Sequence, residues 1–222
     1  MSGASLAGSD PVLFDLDGTL TASGPGILAS VRHALAEMGE PIPEQSVLDR
    51  FIGPPLAHSF RDFCGMDDRQ VQAAIRAYRV YFAERGQFEN SVYDGIPELL
   101  DALLAQGRVL AVATSKAEVY AHSILDHFDL AGRFTVVVGS ELDGRRTDKA
   151  EVIAEALDRL GPAAPTGAAM VGDRSHDVIG ARATGLPCIG ALWGYGSAAE
   201  LAEAGADALA AAPGDVLGLL MA

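Results

Sequence analysis

Two short segments of this 222-residue sequence each place a pair of aspartates close together. Asp15 and Asp17 belong to Asp-Leu-Asp-Gly-Thr, and Asp173 and Asp177 belong to Gly-Asp-Arg-Ser-His-Asp. Side chains two residues apart face the same way on an extended strand, so the first pair brings two like charges together. Such an arrangement costs free energy unless a cation is present, and Mg²⁺ prefers oxygen ligands. The four aspartates therefore predict a magnesium site.

Two further polar positions could bind an anion beside that metal. Thr114 and Ser115 follow an apolar run, and Lys149 stands near the start of a predicted helix. Each has an ordinary structural explanation when taken alone, because a Thr-Ser pair often caps a helix and a lone lysine is usually solvated. Lys149 is, however, one of only two lysines against fourteen arginines, which indicates a need for a compact point charge. Lys116, the other lysine, is expected to be solvated or at the rim of the site.

Counting charges predicts that one carboxyl of this site carries a proton. Four ionised carboxylates contribute −4, whereas one divalent cation and Lys149 return +3. The remaining negative charge would repel a phosphate dianion. Asp17 is the natural position for the proton, because a leaving alkoxide also needs a proton donor. Asp15 would then be the ionised nucleophile.

Short apolar runs that end in these polar residues predict the sheet that positions them. The runs cover residues 12–14, 109–113, 135–138, 168–171 and 188–192, with a sixth at 206–209. None of them alternates cleanly, and helical patterns separate them, such as the one over 148–160. Continuous apolar strands of this kind are typical of a parallel sheet covered on both faces. The predicted fold is α/β with a doubly wound parallel sheet, in which ligands bind beyond the carboxyl ends of the strands.

The stretch between the first two predicted strands is far too long for one crossover connection. Its apolar residues recur at helical spacing on two segments: Ile27, Val31, Leu35 and Met38, then Val71, Ile75, Tyr78 and Phe82. The stretch is nearly neutral, with nine acidic and seven basic residues, whereas the rest of the chain is strongly acidic. We therefore predict an inserted α-helical cap domain over 22–90 and a core formed by 1–21 and 91–222.

Taken in order, the four polar motifs resemble those of the haloacid dehalogenase superfamily. The motifs are Asp15 to Leu20, Thr114-Ser115, Lys149, and Gly172 to Asp177. The resemblance runs from Val12 onward and includes the insert, which is similar to the cap that this superfamily places after its first motif. Within the superfamily the chain resembles the phosphoglycolate phosphatase-like branch. The segments 51–56 and 193–196 resemble those of its 5′-nucleotidase-like members.

This resemblance implies a function for each motif residue. Asp15 would attack phosphorus, and Asp17 would protonate the leaving oxygen and then activate water. Thr114 would hydrogen-bond the phosphoryl oxygens, while Lys149 would neutralise them and orient Asp15. The implied metal ligands are Asp15, Asp17 through its backbone carbonyl, and Asp173, with Asp177 contributing directly or through water.

Substrate-binding residues are expected in the motifs and in the insert. The candidates are Thr19, Ser115, Arg50 and Gly53. Gly53 begins a Gly-Pro-Pro segment that could form a rigid turn facing the site, although the segment could equally just connect two helices. Arg50 could meet an anionic substrate or be a solvated helix residue. Trp193 could stack on a base or pack between a loop and a helix.

The predicted activity is Mg²⁺-dependent hydrolysis of a small phosphomonoester through an aspartyl-phosphate on Asp15. By resemblance, phosphoglycolate and nucleoside 5′-monophosphates are the leading substrates. A sugar phosphomutase would use the same intermediate. A module that only binds a phosphorylated ligand is the non-enzymatic alternative.

The composition excludes several other classes of protein. A net charge of −14 argues against binding of nucleic acid polymers, because phosphate contacts need lysine and arginine. No apolar segment approaches the roughly 18 residues that would span a membrane. Two cysteines, Cys64 and Cys188, are too few for a disulfide framework and fit a reducing, cytoplasmic compartment. We expect a monomer or a homodimer.

Overall fold

The structure is a computed structural model, which describes residues 6–161 and 167–221. The chain divides into two compact units. The chain up to Thr21 and from Val92 onward forms the first, which we call the core unit. Ala22–Ser91 form the second, which we call the insert.

Among the described residues, six strands form the sheet of the core unit. They are β1 (Val12–Phe14), β2 (Leu110–Ala117), β3 (Val136–Ser140), β4 (Ala169–Gly172), β5 (Cys188–Ala191) and β6 (Ala208–Ala210). Their order is β3-β2-β1-β4-β5-β6, and every neighbouring pair is parallel. β2 and β3 lie on one side of β1, and β4, β5 and β6 lie on the other. The strand order therefore reverses between β1 and β4, which is the point where ligands bind in such sheets. The predicted doubly wound α/β fold is confirmed.

The described residues contain ten α-helices. Those of the insert are α1 (Gly24–Glu37), α2 (Gln45–Leu48), α3 (Leu56–Cys64) and α4 (Asp68–Tyr81). Those of the core unit are α5 (Ile96–Ala105), α6 (Glu118–His127), α7 (Lys149–Leu160), α8 (Ser175–Ala183), α9 (Ala198–Ala204) and α10 (Pro213–Leu219). Short 3₁₀ segments lie at Asp49–Phe51 and Ala131–Arg133, and a π-helical turn lies at Phe82–Gly86.

The core of the sheet domain follows from its unbroken apolar runs. All three residues of β1 are fully buried, as expected for a strand that is covered on both faces. On one side of the sheet, α7 and α8 contribute Val152, Ile153 and Val178 to an apolar cluster that also contains Leu13 and Met170. This packing holds the first turns of α7 and α8 at the carboxyl edge of the sheet.

The insert is helical throughout its described length, apart from its turns and connections. The predicted apolar face of α4 is buried at Val71, Ile75 and Tyr78, and Ile27 and Val31 of α1 are buried as well. Asp67 begins α4 with a capping box, in which its side chain accepts from the N–H of Gln70 at 2.8 Å. No helix within the described ranges has both the length and the hydropathy needed to cross a membrane.

Candidate active site

Three adjacent strands place polar residues at one edge of the sheet. Asp15 directly follows β1 and Asp173 directly follows β4, while Thr114 lies within the last part of β2. The Asp15 N–H donates to the carbonyl of Val171 at 2.9 Å, which continues the β1–β4 ladder by one more bond. Since the strands are parallel, their carboxyl ends coincide, and residues that lie more than 150 positions apart in the chain become neighbours.

Lys149 links two of the aspartates. It is the first residue of α7, and the Asp148 side chain caps that helix by accepting from the Ala150 N–H at 2.8 Å. The Lys149 Nζ lies 2.9 Å from Asp15 Oδ1 and 2.7 Å from Asp177 Oδ1, and it donates to the carbonyl of Ala113 at 3.0 Å. Burial by itself lowers the pKa of Lys149, but the charges of Asp15 and Asp177 raise it above its usual value. Lys149 therefore remains a cation inside the site.

Three buried aspartates fit a divalent cation. Asp15, Asp173 and Asp177 can each present an oxygen within 4.8 Å of the others. Burial raises the pKa of Asp173 well above its usual range, and the charges of Asp177 and Asp15 raise it further. Burial also raises the pKa of Asp177 to about 6, although Lys149 opposes that shift. Ionising these carboxyls together is costly without a cation, and three carboxylate oxygens are a donor set that hard divalent cations accept.

The turn after β1 brings the backbone against Asp173. Gly18 has φ +85°, and a Cβ at this position would overlap the Asp173 carboxylate, so only glycine fits. Thr19 is fully buried, and its hydroxyl donates to Asp173 Oδ1 at 3.2 Å. The Thr19 hydroxyl therefore contacts Asp173, because the tight turn directs it into the protein. The assignment of Thr19 to substrate binding stays a prediction.

A loop that follows β5 holds the same carboxylate from the other side. The Tyr195 N–H donates to Asp173 Oδ2 at 2.8 Å, and the Trp193 Nε1–H donates to the carbonyl of Thr19 at 2.9 Å. Both interpretations offered for Trp193, stacking on a base and packing between a loop and a helix, stay predictions. The hydrogen bond from Tyr195 to Asp173 could not be predicted from the sequence, because its donor is a backbone N–H, which does not depend on the residue type. The two glycines beside it, Gly194 and Gly196, are the only available signal of a close backbone approach.

Glu200 of α9 supports the fourth motif and was also missed. Its Oε1 accepts from the Ser175 N–H at 2.9 Å and lies 3.0 Å from the Nε of Arg174. Asp177 Oδ2 accepts from the Arg174 N–H at 3.0 Å. The first turn of α8 is thus held by two carboxylates, which fixes the direction of Asp177.

Lys116 differs most from its predicted environment. Its side chain is only 6% exposed, and its Nζ lies 2.8 Å from Asp17 Oδ2, so the expectation of a solvated lysine is wrong. The reason is that β2 continues to Ala117, beyond its apolar run, and keeps Lys116 on the sheet. This second ammonium group changes the charge count. Four carboxylates now face two lysines and a divalent cation, so the charge balance alone no longer requires a protonated Asp17.

A model of the haloacid dehalogenase-like hydrolases matches residues 12–191, which is most of the chain. The chain belongs to this family. The predicted resemblance is confirmed, and the site described above is the place where the four motifs of this haloacid dehalogenase-like hydrolase meet.

Relatives of this hydrolase carry the names of phosphoryl-group enzymes. It is 48% identical over 190 residues to a 5′-nucleotidase of Pseudomonas aeruginosa, covering 86% of each chain. It is 47% identical over 197 residues to the tyrosine-protein kinase PtkA of Mycobacterium tuberculosis, covering 88% of this chain and 67% of the relative. It is 34% identical over 190 residues to a phosphoglycolate phosphatase of Xanthomonas campestris, covering 83% of each.

A solved structure agrees with this assignment. The crystal structure of a predicted phosphatase from Clostridium acetobutylicum matches with a TM-score of 0.90 and 42% identity, over 100% of both chains. Together with the family match, these similarities show that this haloacid dehalogenase-like hydrolase is an enzyme of the phosphatase type.

The remaining predicted residues of this phosphatase lie in different surroundings. Ser115 is partly buried next to Thr114, whose side chain is almost wholly buried. In the insert, Arg50 is exposed, and its guanidinium group lies 4.1 Å from the centre of the Phe63 ring. Gly53 has φ +107° in the turn before α3. The assignment of Ser115, Arg50 and Gly53 to substrate binding stays a prediction.

The pKa shifts predict how metal binding by this phosphatase depends on pH. Asp177, with a pKa of about 6, and Asp173, whose pKa is also raised, must lose their protons before a cation binds. The affinity of the three aspartates for a divalent cation should therefore rise as pH increases through about 6, by up to about tenfold per pH unit for each proton released. Titration calorimetry at several pH values between about 5 and 8, in buffers with different ionisation enthalpies, measures both the affinity and the protons released.

The metal-free protein should show the opposite trend in stability. In the folded state these carboxyls hold protons that an unfolded aspartate, with a pKa of 3.8, has already released. The folded state binds more protons than the unfolded state in this interval. The contribution of the two carboxyls to the free energy of unfolding therefore falls as pH rises from about 4 through 6. The Asp173→Asn variant is the control, in which both trends should be weaker. An affinity that does not change with pH would contradict the assignment of these carboxyls as ligands.

Proposed function

We propose that this enzyme hydrolyses small phosphomonoesters through an aspartyl-phosphate on Asp15, with Mg²⁺ held by Asp15, Asp173 and Asp177. The observation that carries the proposal is the buried contact of Lys149 with Asp15 and Asp177, beside Asp173, at the point between β1 and β4. A carboxylate held by a lysine next to a cation site suits attack on a phosphoryl group, which depends mainly on positioning and on charge stabilisation. Mg²⁺, when bound, would supply positive charge to the phosphoryl oxygens.

The reaction is divided into two displacements. An oxygen of Asp15 attacks phosphorus, the bond between phosphorus and the ester oxygen breaks, and the ester oxygen takes a proton from Asp17. Water then attacks the phosphorus of the aspartyl-phosphate and gives its proton to Asp17. The bond between phosphorus and Asp15 breaks, which releases inorganic phosphate and restores both aspartates.

The other motif residues position the groups that react. Lys149 holds Asp15 Oδ1, which leaves the second oxygen of that carboxylate for attack. Thr114 lies in the last part of β2 and is proposed to hydrogen-bond the transferred phosphoryl group. Asp17 contributes its backbone carbonyl to the metal in this proposal, since its side chain lies on Lys116.

The substrate is proposed from the relatives and from the insert. The relatives named 5′-nucleotidase and phosphoglycolate phosphatase support nucleoside 5′-monophosphates and phosphoglycolate as substrates. The motifs recognise only the phosphoryl group, so we assign substrate choice to the insert, the proposed cap domain. Arg50 and Gly53 are its candidate substrate-binding residues. The cytoplasm is the proposed compartment, in agreement with two free cysteines, and the proposed state is a monomer or a homodimer.

A phosphoryl transferase is the second candidate, favoured by the identity of 47% to a protein named a tyrosine-protein kinase. The same aspartyl-phosphate would then be attacked by a hydroxyl group of a sugar or of a tyrosine instead of by water. The hydroxyl oxygen would form the new bond to phosphorus and lose its proton to Asp17. The two candidates differ only in the acceptor.

A panel of phosphomonoesters separates these functions. Purified protein is incubated with phosphoglycolate, nucleoside 5′-monophosphates and sugar phosphates, with Mg²⁺ or with EDTA, and both inorganic phosphate and transfer products are measured. We expect inorganic phosphate from one or more of these esters with Mg²⁺ and none with EDTA. Phosphorylated acceptor without free phosphate would establish the transferase instead. Hydrolysis that is unchanged in EDTA would contradict the metal site.

A further inference from the structure

We infer that Lys116 is a positioning residue that orients the Asp17 carboxyl for proton transfer, an inference that rests on the proposed function. The Lys116 Nζ lies 2.8 Å from Asp17 Oδ2, and the two side chains are only 6% and 12% exposed. Asp17 Oδ1 is buried as well, and it has no hydrogen-bond partner among the described residues. One oxygen is thus fixed by the lysine, while the other is left to exchange a proton with the ester oxygen and then with water.

An irregularity in the backbone of β2 directs the Lys116 side chain to Asp17. The pairing of β2 with β3 shifts register between Ala113 and Ala117, and irregularities of this kind redirect side chains next to active sites. The Lys116 N–H donates to Thr114 Oγ1 at 3.3 Å. On the neighbouring strand, a Cβ at Gly139 would overlap the Lys116 carbonyl oxygen, so glycine is required for the close approach. The contact with Thr114 and the close approach of Gly139 therefore both hold the backbone of Lys116 in place.

The use of lysine in this chain supports the same function. The sequence has two lysines and fourteen arginines, and both lysines are buried against aspartates of this site. Lys149 contacts Asp15 and Lys116 contacts Asp17, so each aspartate of the first motif has its own ammonium group. A guanidinium group presents a planar fork that binds both oxygens of a carboxylate. A lysine is a point charge, which can hold Oδ2 and leave Oδ1 open.

The need for a proton on the leaving oxygen provides the test. An alkoxide is a poor leaving group and depends on the acid, whereas p-nitrophenolate leaves well without a proton. We would compare the native enzyme and the Lys116→Met variant on ethyl phosphate, phenyl phosphate and p-nitrophenyl phosphate, which carry no charge beyond the phosphoryl group. The ratio kcat/KM reports the steps up to loss of the leaving group, so it isolates the first proton transfer.

For Lys116→Met we expect kcat/KM to fall about a hundredfold on ethyl phosphate, less on phenyl phosphate, and less than about tenfold on p-nitrophenyl phosphate. Lys149→Met is the matched comparison, in which all three esters should lose activity to the same degree, because that lysine acts on the transferred group. Equal losses with Lys116→Met would overturn the inference in favour of a merely structural role. A loss confined to phosphoglycolate, added as a fourth ester with a second negative charge, would overturn it in favour of an anion-binding subsite.

Crystal structures provide a readout that does not require turnover. In the Lys116→Met variant the Asp17 carboxyl should leave the orientation that it has in the native chain, while Asp15 and Lys149 keep theirs. An Asp17 side chain that is unchanged in the variant would contradict the inference. If the native enzyme hydrolyses neither these esters nor any member of the panel described under Proposed function, the proposed function fails, and the crystallographic comparison still tests whether Lys116 positions Asp17.

Discussion

Replacement of Asp15 by asparagine is expected to lower phosphate release by roughly a thousandfold or more, because the proposed nucleophile is lost. The stability of the folded state should change little, because two effects of this replacement oppose each other. The repulsion that raises the pKa of Asp173 is relieved, whereas Lys149 loses its ion pair with Asp15 and keeps the one with Asp177. The loss of activity should therefore occur with little change in the melting temperature in EDTA.

Three measurements check this prediction. Steady-state phosphate release gives the size of the loss, and hydroxylamine trapping with peptide mass spectrometry shows whether an acyl-phosphate forms at residue 15. Thermal unfolding in EDTA gives the stability. Asp101→Asn makes the same chemical change at an exposed carboxylate on α5, which pairs with Arg133 at 2.7 Å, and it should leave the rate unchanged. Activity of Asp15→Asn within tenfold of the native rate would exclude Asp15 as the nucleophile.

Among the single variants named here, Lys149→Met should show the largest decrease in the free energy of unfolding. Lys149 is the cation between Asp15 and Asp177, and its side chain is only 4% exposed. Its replacement leaves buried carboxylates without their partner, which typically costs about 3–5 kcal/mol of the free energy of unfolding. Methionine has a similar length and no charge, so the loss of charge, rather than a cavity, should determine the effect.

Urea unfolding in EDTA at neutral pH measures this cost. The double variant Lys149→Met/Asp177→Asn is the informative comparison, because it also removes one of the two carboxylates left without a partner. It should be more stable than Lys149→Met, and a saturating divalent cation should narrow the difference between them. A free energy of unfolding for Lys149→Met that equals the native value would contradict the proposed electrostatic function of Lys149.

Much of the fold could be predicted because an unbroken apolar run indicates a strand buried on both faces, and the polar residue after the run marks the end of the strand. Val12-Leu13-Phe14 has no polar position, so it had to be a strand covered on both faces, and the polar Asp15 had to lie at its end. The other apolar runs follow the same logic. The ends of the strands were less certain. β2 continues past its apolar run through the polar residues Thr114, Ser115 and Lys116 to Ala117, which pairs with β3.

The supporting residues of the site could not be predicted in the same way. Thr19 and Lys116 are polar residues whose ordinary positions are exposed, and nothing in their neighbours along the chain indicates burial. Their environment depends on which side chain lies opposite. For Thr19 this is Asp173, which lies 154 positions away, and for Lys116 it is Asp17. The function of Tyr195 is carried by a backbone N–H, which every residue except proline has.

Residue types and their order along the chain predict which residues form the candidate site, and they predict the edge of the sheet where those residues meet. The predicted residues are Asp15, Asp17, Thr114, Lys149, Asp173 and Asp177. Parallel strands bring their carboxyl ends to one edge, so residues that directly follow apolar runs must converge there. The folded chain is needed to show which lysine holds which aspartate, and which oxygen of Asp17 has no hydrogen-bond partner among the described residues. These contacts depend on distances of about 3 Å, which follow from the register of β2 on β3 and from the loop after β5.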